Sequence, residues 1–148
     1  MLIKDKLARG LVAGIAAGVV MSMADLILTG FGWVKFPYYD WGLSLISGSV
    51  AETFPEIAIG LVIHLMFAGV LGVIFSYAIQ LIPSTNSLLR GWLYGVVVWF
   101  AVHVIVNLFG FQPLKPIPMS QLLSDFLTAS VFGLVLAATN NRLSPKIR

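Results

Sequence analysis

Four long apolar runs dominate this sequence, and each carries small or polar residues at intervals of about four. The runs cover about residues 10–30, 56–82, 89–110 and 119–140, and a helix needs roughly 20 apolar residues to cross a bilayer. Small residues one helical turn apart let helix backbones approach closely in a membrane. The sequence therefore predicts an all-α integral membrane protein, a four-transmembrane-helix bundle forming one domain over 1–148. The predicted packing positions are Gly14, Gly18, Gly60, Gly72, Gly91, Gly95 and Gly133.

Composition agrees with this class and excludes several others. The chain is 59% hydrophobic and 10% charged, whereas a soluble domain carries roughly 25% charged residues. It has no cysteine, which excludes disulfides, thiolate metal sites and cysteine nucleophiles. It has no phosphate-binding loop, no nucleophile elbow and no His-Glu-x-x-His helix, so we expect no enzymatic activity. The expected partners are the lipid bilayer and either a second copy or a larger membrane complex docked on a glycine face of span one.

The basic residues are distributed unevenly between the two sides of the predicted bundle. Seven of the nine precede the first span, lie in the second connection or follow the last span. The positive-inside rule then places both termini in the cytoplasm. The excess of basic residues therefore indicates the orientation in the membrane and not nucleic-acid binding. The seven are Lys4, Lys6, Arg9, Arg90, Arg142, Lys146 and Arg148, and the other two are Lys35 and Lys115.

The longest connection, residues 31–55, lies on the extracytoplasmic side in this topology. Its first half is dense in Phe, Trp and Tyr, as is typical of the headgroup level of a membrane. Asp40 is a candidate N-cap, so residues 41–53 form either a short helix in the membrane interface or an ordered aromatic loop. Pro83 marks the cytoplasmic turn between spans two and three.

The spans also show an internal similarity. Spans one and three both contain Gly-x-x-x-Gly, followed by an ionisable residue. If the two halves are a duplication, both hairpins start in the cytoplasm, and the result is a parallel repeat about an axis along the membrane normal. The aligned residues are Gly14 and Gly18 with Gly91 and Gly95, Asp25 with His103, and His64, Ala68 and Gly72 with Asp125, Ala129 and Gly133.

Four ionisable residues lie at a similar depth in the predicted spans. Asp25, His64, His103 and Asp125 are each five to nine residues from the extracytoplasmic end of a span, which is roughly 8–14 Å below the outer surface. Ionisable residues within spans usually face the bundle interior and pair with one another. We expect an Asp25–His103 pair or an Asp125–His64 pair. The predicted supporting polar residues are Ser22, Asn107, Gln121, Ser124 and Thr128, with Glu52 and Glu56 at the outer mouth.

Several functions are compatible with this polar layer. It could bind a divalent transition metal through His64 and His103 together with carboxylates, or it could relay protons through a hydrated site. The two histidines could instead ligate a b-type haem, with Gly60, Gly69 and Gly95 making room for the macrocycle. The alternative from another class is an accessory or assembly subunit whose polar layer only fixes helix register.

The second half of the chain carries a resemblance to known families. Gly91-Trp92-Leu93-Tyr94-Gly95 with Trp99 opens span three, His103 follows, Phe109-Gly110 precede a loop rich in proline, and Ser124-Asp125 lie early in the last span. In these features the stretch 64–142 resembles the YqhR-like and YagU-like families of small bacterial membrane proteins. The resemblance implies a multi-span protein of the bacterial inner membrane without assigned chemistry, and for the YagU-like group a link to acid tolerance.

Overall fold

A computed structural model describes residues 3–81, 84–110 and 112–144, which are all-helical, with no strand among them. Four helices are long and apolar enough to cross a membrane, which confirms that part of the predicted fold. Residue 82, Pro83, Lys146 and Arg148 lie outside the described residues. The α-helices are α1 (Lys6–Gly30), α2 (Tyr38–Ser47), α3 (Phe54–Ala78), α4 (Ser87–Leu108) and α5 (Met119–Leu143), with 3-10 turns at Ile79–Leu81 and Gln112–Leu114.

Three of the long helices start earlier than their apolar runs because polar residues cap them. The Asp5 carboxylate accepts hydrogen bonds from the backbone N–H groups of Leu7 and Ala8, and α1 therefore begins at Lys6. Asn86 caps α4 in the same way. Thr53 and Glu56 form a reciprocal capping box at the start of α3, which satisfies two N–H groups that a helix leaves without partners.

The long helices are arranged so that α1 and α5 lie in the middle. Helix α1 packs against both α3 and α5, α4 packs against α5, and α2 packs against α3. Among the described residues α3 and α4 have no comparable packing, although the Tyr94 hydroxyl donates to the Leu71 carbonyl oxygen at 2.7 Å. A cleft therefore remains between α3 and α4.

The two ends of the bundle differ in what they carry. Ile3 N–H donates to the Leu143 carbonyl oxygen at 3.0 Å, so the residue before α1 and the last turn of α5 lie together. We call this the terminal end, because it also holds the 84–86 connection. The opposite end, which we call the distal end, holds residues 31–53, 109–110 and 112–118.

Glycine contacts join the helices of each hairpin. In the first hairpin a Cβ on Gly10 would collide with Gly72 and Ser76, and one on Gly14 would collide with Ala68 and Gly72. The contacts bring backbone against backbone, as small residues allow in membrane helices. Of the other predicted packing positions, Gly18 of α1 contacts Ala68.

The second hairpin repeats this contact pattern. Gly91 meets Gly133 and Ala137, and Gly95 meets Ala129 and Gly133. In α1 the pair that makes the corresponding contacts is Gly10 and Gly14. This pair lies one helical turn before the pair that the sequence alignment matched to Gly91 and Gly95. Among the described residues, the close packing of α1 on α5 is not matched by comparable packing of α4 on α3. The similarity is therefore between the two hairpins, and the internal repeat stays a prediction.

Helix α2 differs most from the expectation for its segment. It begins at Tyr38 after Pro37 as N-cap and ends at Ser47, where Gly48 takes a positive φ of 72°. Asp40 is therefore inside the helix rather than its N-cap, and its carboxylate accepts from Ala51 N–H at 2.9 Å. The helix therefore covers residues 38–47 instead of the expected 41–53, and it packs against the long helices with one side buried.

The close approach of α2 to α3 depends on two glycines. A Cβ on Gly42 would collide with the Gly60 carbonyl, and one on Gly60 would collide with the Tyr39 carbonyl. Tyr38, Trp41 and Leu43 of α2 are buried. Gly60 was expected to pack against another span, but it contacts the inserted helix α2 instead.

Candidate functional site

A layer of buried polar side chains crosses the bundle between two apolar clusters. The cluster on the terminal side includes Ala17, Phe75 and Phe132, and the distal cluster includes Phe36 and Leu114. Buried polar groups need hydrogen-bond partners or water, so this layer is where chemistry is expected. Its members, which we call the polar layer, are Ser22, Asp25, Tyr38, His64, His103, Gln121, Ser124, Asp125 and Thr128.

His103 and Asp125 form the one direct contact between predicted ionisable residues among the described residues. His103 Nε2 lies 3.2 Å from Asp125 Oδ2, and the His103 Nδ1 lies 2.9 Å from the Trp99 carbonyl oxygen. A carbonyl only accepts, so Nδ1 carries a proton. One further proton therefore lies between Nε2 and Oδ2, on the imidazole as an ion pair or on the carboxyl as a neutral pair. The pairs expected from the sequence, Asp25–His103 and Asp125–His64, were wrong.

Asp25 binds the backbone rather than a histidine. Its Oδ2 accepts the Tyr38 N–H at 3.0 Å, and the carboxyl group is only 1% exposed. The other oxygen, Oδ1, is buried and has no hydrogen-bond partner among the described residues. Asp25 therefore anchors the start of α2 and keeps one free acceptor.

Tyr38 connects three helices at the polar layer. Its ring stacks on the His64 imidazole, with centroids 4.7 Å apart and planes at 12°, and its hydroxyl lies 2.6 Å from Thr128 Oγ1. The Thr128 hydroxyl can give its only proton to the backbone carbonyl of Ser124 or Asp125, so Tyr38 is the donor to Thr128. Burial raises the pKa of the Tyr38 phenol well above its usual range, which keeps that proton in place.

Gln121 fastens the segment that precedes α2. Its Oε1 accepts from the N–H groups of Lys35 and Phe36, each at 2.9 Å, and its Nε2 donates to the Phe36 carbonyl oxygen at 2.7 Å. These bonds satisfy backbone groups that would otherwise be buried without partners. The role of Gln121 is therefore to hold residues 35–36 against α5.

The remaining predicted residues divide between the layer and the distal surface. Ser22 and Ser124 are buried in the layer, and each hydroxyl lacks a partner among the described residues. Asn107 lies outside the layer and accepts from Lys115 Nζ at 3.2 Å. Glu56 accepts from the N–H groups of Glu52 and Thr53, so its carboxylate caps a helix instead of lining an entrance to the layer.

Two cavities meet the polar layer. The cleft between α3 and α4 has a volume of about 90 Å³, and His64, His103 and Asp125 are among its lining residues. A groove between α4 and α5 is lined by His103, Asn107, Leu122 and Phe126, among others. His103 therefore borders both the cleft and the groove, and its side chain is 15% exposed.

The layer does not provide the ligand set of a typical metal site. No group of three or more His, Asp or Glu residues is placed to hold a metal within residues 3–81, 84–110 and 112–144. Catalytic and structural zinc sites use at least three protein ligands, whereas here His103 and Asp125 meet only each other. His64 faces Tyr38.

A haem between the two histidines does not fit either. The glycines expected to make room for the macrocycle are occupied: Gly60 by α2, Gly69 by Leu11 and Ile15, and Gly95 by Ala129. A cleft of about 90 Å³ is also well below the roughly 300 Å³ at which cofactor pockets start.

The main residues that sequence reasoning missed belong to α2 and its approach. Tyr38 and Trp41 are buried against the layer, whereas an aromatic segment after a first span suggested the headgroup region. A signal for insertion was present in Gly42 and Gly48, since one permits close packing and the other ends a helix with positive φ.

Comparisons with known proteins give one match. No curated protein and no solved structure matches this chain. The family described as a family of unknown function, DUF6789, matches residues 4–148, and nothing in these comparisons supports the resemblance to the YqhR-like and YagU-like families. The chain therefore belongs to the DUF6789 family.

Proposed function

We propose that this protein is a small polytopic protein of the bacterial inner membrane, with both termini cytoplasmic, that binds and releases a proton at the His103–Asp125 pair. The observation that carries the proposal is the pair itself: Nε2 and Oδ2 lie 3.2 Å apart, and Nδ1 is occupied by the Trp99 carbonyl. A single proton therefore distinguishes the neutral pair from an anionic one.

The charge distribution supports the orientation. At the terminal end the described basic residues are Lys4, Lys6, Arg9, Arg90 and Arg142, whereas Lys35 and Lys115 lie at the distal end. Cytoplasmic loops carry the excess of Lys and Arg, so the distal end is extracytoplasmic in this proposal. The polar layer is then closer to the extracytoplasmic surface.

Chemistry favours a proton over other cations at this pair. While it holds the shared proton, the His103–Asp125 pair has no net charge, whether the proton lies on Nε2 or on Oδ2, and its release leaves one negative charge that needs water or a hydrogen-bond donor. Asp125 is 2% exposed, and its Oδ1 has no partner among the described residues, which leaves one acceptor for a water molecule or a second hydrogen bond.

Access from the two sides is unequal. The groove between α4 and α5 runs from Asn107 and Met119 at the distal end to His103. On the terminal side, Ala17, Phe75 and Phe132 form a continuous apolar cluster below the layer. We therefore propose exchange with the extracytoplasmic side in this conformation, and a site that binds protons rather than an open channel.

A structural role is the second candidate, and a specific observation favours it. Asp25 and Gln121 direct their hydrogen bonds to backbone groups of Lys35, Phe36 and Tyr38. These two residues act as anchors for an inserted segment. An accessory subunit whose whole polar layer is structural would use His103 and Asp125 in the same way, to hold α4 on α5.

Proton binding by the purified protein separates these candidates. Acid–base titration in mild detergent, between about pH 5 and pH 8, is compared for the wild type, His103→Gln and Asp125→Asn. We expect both substitutions to change the titration curve in that range, because His103→Gln removes the imidazole and Asp125→Asn removes the carboxylate that shares its proton. Ser130→Ala, on α5 but bonded only to the Phe126 carbonyl, is the matched control.

His64→Gln completes the design by removing the other histidine. If the layer is only structural, His103→Gln and Asp125→Asn lower the melting temperature but leave the titration curve of the folded protein unchanged. If His64→Gln produces the change instead, the assignment of the proton to His103–Asp125 is wrong. In sealed proteoliposomes, an impermeant pH dye on each side then reports from which side the proton is taken up.

A further inference from the structure

We propose that the cleft between α3 and α4 binds an uncharged, unbranched amphiphile from the bilayer, with a hydroxyl head group held at the polar layer. This inference goes beyond proton binding and does not depend on it. It starts from the order of the helices, since α3 and α4 flank the bundle and lack close mutual packing among the described residues. Because α3 and α4 are both long and apolar enough to cross a membrane, we infer that the opening between them is reached from the lipid.

The walls of the cleft suit a hydrocarbon chain. Leu45, Ile63, Phe67, Val98 and Val102 are among the residues that line it. Leu45 is 50% exposed and Phe67 is 41% exposed, so both lie at the rim. Apolar side chains that remain exposed on membrane-crossing helices contact lipid, and a chain can therefore enter without crossing water.

Two residues that line the otherwise apolar cleft carry buried polar atoms without a hydrogen-bond partner among the described residues. His64 is 8% exposed, and its Nε2 has no partner among the described residues. Asp125 Oδ1 is buried and also lacks one. Both residues line the cleft, and a buried polar atom without a hydrogen bond is unfavourable. In hydrocarbon surroundings a ligand is a suitable source of the missing bonds.

The available groups identify the chemistry of the head. A hydroxyl can donate to the Asp125 carboxyl and exchange a second hydrogen bond with His64, because a hydroxyl both donates and accepts. A carboxylate head would approach a buried acid and introduce a charge without a partner. An uncharged hydroxyl therefore matches the site.

Size restricts the ligand further. The cleft encloses about 90 Å³, whereas a cavity of about 150 Å³ is known to hold one benzene ring. A ring-headed lipid such as a quinone is too wide for the enclosed part. The first carbons of an unbranched chain with a terminal hydroxyl fit, and the rest of the chain leaves through the lateral opening.

Tryptophan fluorescence tests this site, because Trp41 is part of the lining. A reporter retaining only Trp41 carries Trp33→Phe, Trp92→Phe and Trp99→Phe. The probe is a long-chain primary alcohol brominated near its middle, added to the protein in nanodiscs. We expect saturable quenching of Trp41. A second reporter retaining only Trp92, which is exposed on the outside of α4, should show only the linear quenching caused by probe dissolved in lipid.

Two neighbouring valines supply a matched pair of variants. Val98 lines the cleft, whereas Val97 is 55% exposed beside it. In the Trp41 reporter, Val98→Phe should weaken apparent binding of the alcohol at least about tenfold, the factor that corresponds to 1.4 kcal/mol. Val97→Phe should leave binding unchanged. The melting temperature of each variant shows whether it is folded.

Several outcomes would overturn the proposal. Linear quenching of both reporters means that the cleft holds no specific ligand. Saturable quenching by an isoprenoid quinone or a brominated fatty acid, but not by the alcohol, means that the head group has been assigned wrongly. Proton titration of Val98→Phe keeps the two proposals separate, because a blocked cleft should leave proton binding at His103–Asp125 intact.

Discussion

The phenol ring of Tyr38 lies flat on the imidazole of His64, with 4.7 Å between the ring centroids. The same residue donates its backbone N–H to Asp25 and its hydroxyl to Thr128. One side chain at the start of α2 therefore contacts α3 and α5, and its backbone is bound to α1. The insertion of α2 and the integrity of the polar layer depend on this residue.

We expect Tyr38→Ala to destabilise the protein by about 3 kcal/mol, because a large buried ring is lost and a cavity remains. Tyr38→Phe keeps the stacking and removes only the bond to Thr128, so it should cost about 1 kcal/mol. Thermal unfolding in mild detergent measures both effects.

Tyr39→Phe is the control for the Tyr38 variants, since Tyr39 is the next residue and its hydroxyl has no hydrogen bond to Thr128. It should change the melting temperature little. Equal effects of Tyr38→Phe and Tyr39→Phe would show that the Tyr38–Thr128 bond does not contribute to stability.

The four long helices and the depth of the polar residues follow from local signals. Run length, the spacing of Gly10, Gly14, Gly91 and Gly95, and the isolated acids and histidines are all readable along one chain segment. Depth alone, however, does not identify neighbours. His103 pairs with Asp125 because α4 packs on α5, and helix order around a bundle depends on many contacts at once.

Gly42 and Gly48 are compatible with insertion of α2, but by themselves they do not identify what the helix packs against. Aromatic residues between spans usually lie at the headgroup level. Here Gly60 on α3 offers a flat surface to Gly42, and Gln121 on α5 binds the backbone of residues 35–36. Both partners are distant in sequence, so only the tertiary structure shows that the segment is held inside.

The glycine contacts predict a strong asymmetry between two alanine substitutions. Gly133 contacts the backbone of Gly91 directly, so Gly133→Ala should separate α4 from α5 and destabilise by about 1–3 kcal/mol. Gly30 is the last residue of α1, and a methyl group added to it would have no neighbour within 4 Å. Gly30→Ala should therefore be neutral or slightly stabilising. Thermal unfolding of both variants checks this, and a neutral Gly133→Ala would contradict the observed contact.

Two adjacent asparagines near the end of α5 give a second matched comparison. Asn140 is buried, at 4% exposure, whereas Asn141 is exposed. The Asn140 Oδ1 accepts from Ser76 Oγ at 2.9 Å and from Arg9 Nε at 3.2 Å, which joins α1, α3 and α5.

We therefore expect Asn140→Ala to lower the unfolding free energy by about 1–3 kcal/mol, because Ser76 loses its acceptor in a buried position. Asn141→Ala removes a bond to Ser87 at an exposed position and should cost less than about 0.5 kcal/mol. Denaturation in mixed micelles compares them. A larger effect at Asn141 would mean that the helix face has been assigned wrongly.

Asp40 predicts a pH dependence of stability that can be isolated by one substitution. The carboxyl is 6% exposed, and burial raises its pKa above the usual value, with the hydrogen bond from Ala51 N–H opposing part of that rise. The folded protein thus holds this proton more tightly than the unfolded chain. The contribution of Asp40 to stability is fully present at low pH and is lost as pH rises through the folded-state pKa.

Asp40→Asn keeps the oxygen that accepts from Ala51 and removes the titration. We expect the wild type to lose melting temperature relative to Asp40→Asn as pH is raised from about 3 to about 7, measured by circular dichroism in detergent. Asp40→Ala removes the acceptor as well, so it should be less stable than Asp40→Asn by a similar amount at every pH. A wild-type curve parallel to that of Asp40→Asn would mean that burial does not perturb this carboxyl, and that the segment after α2 is more hydrated than the hydrogen bond to Ala51 implies.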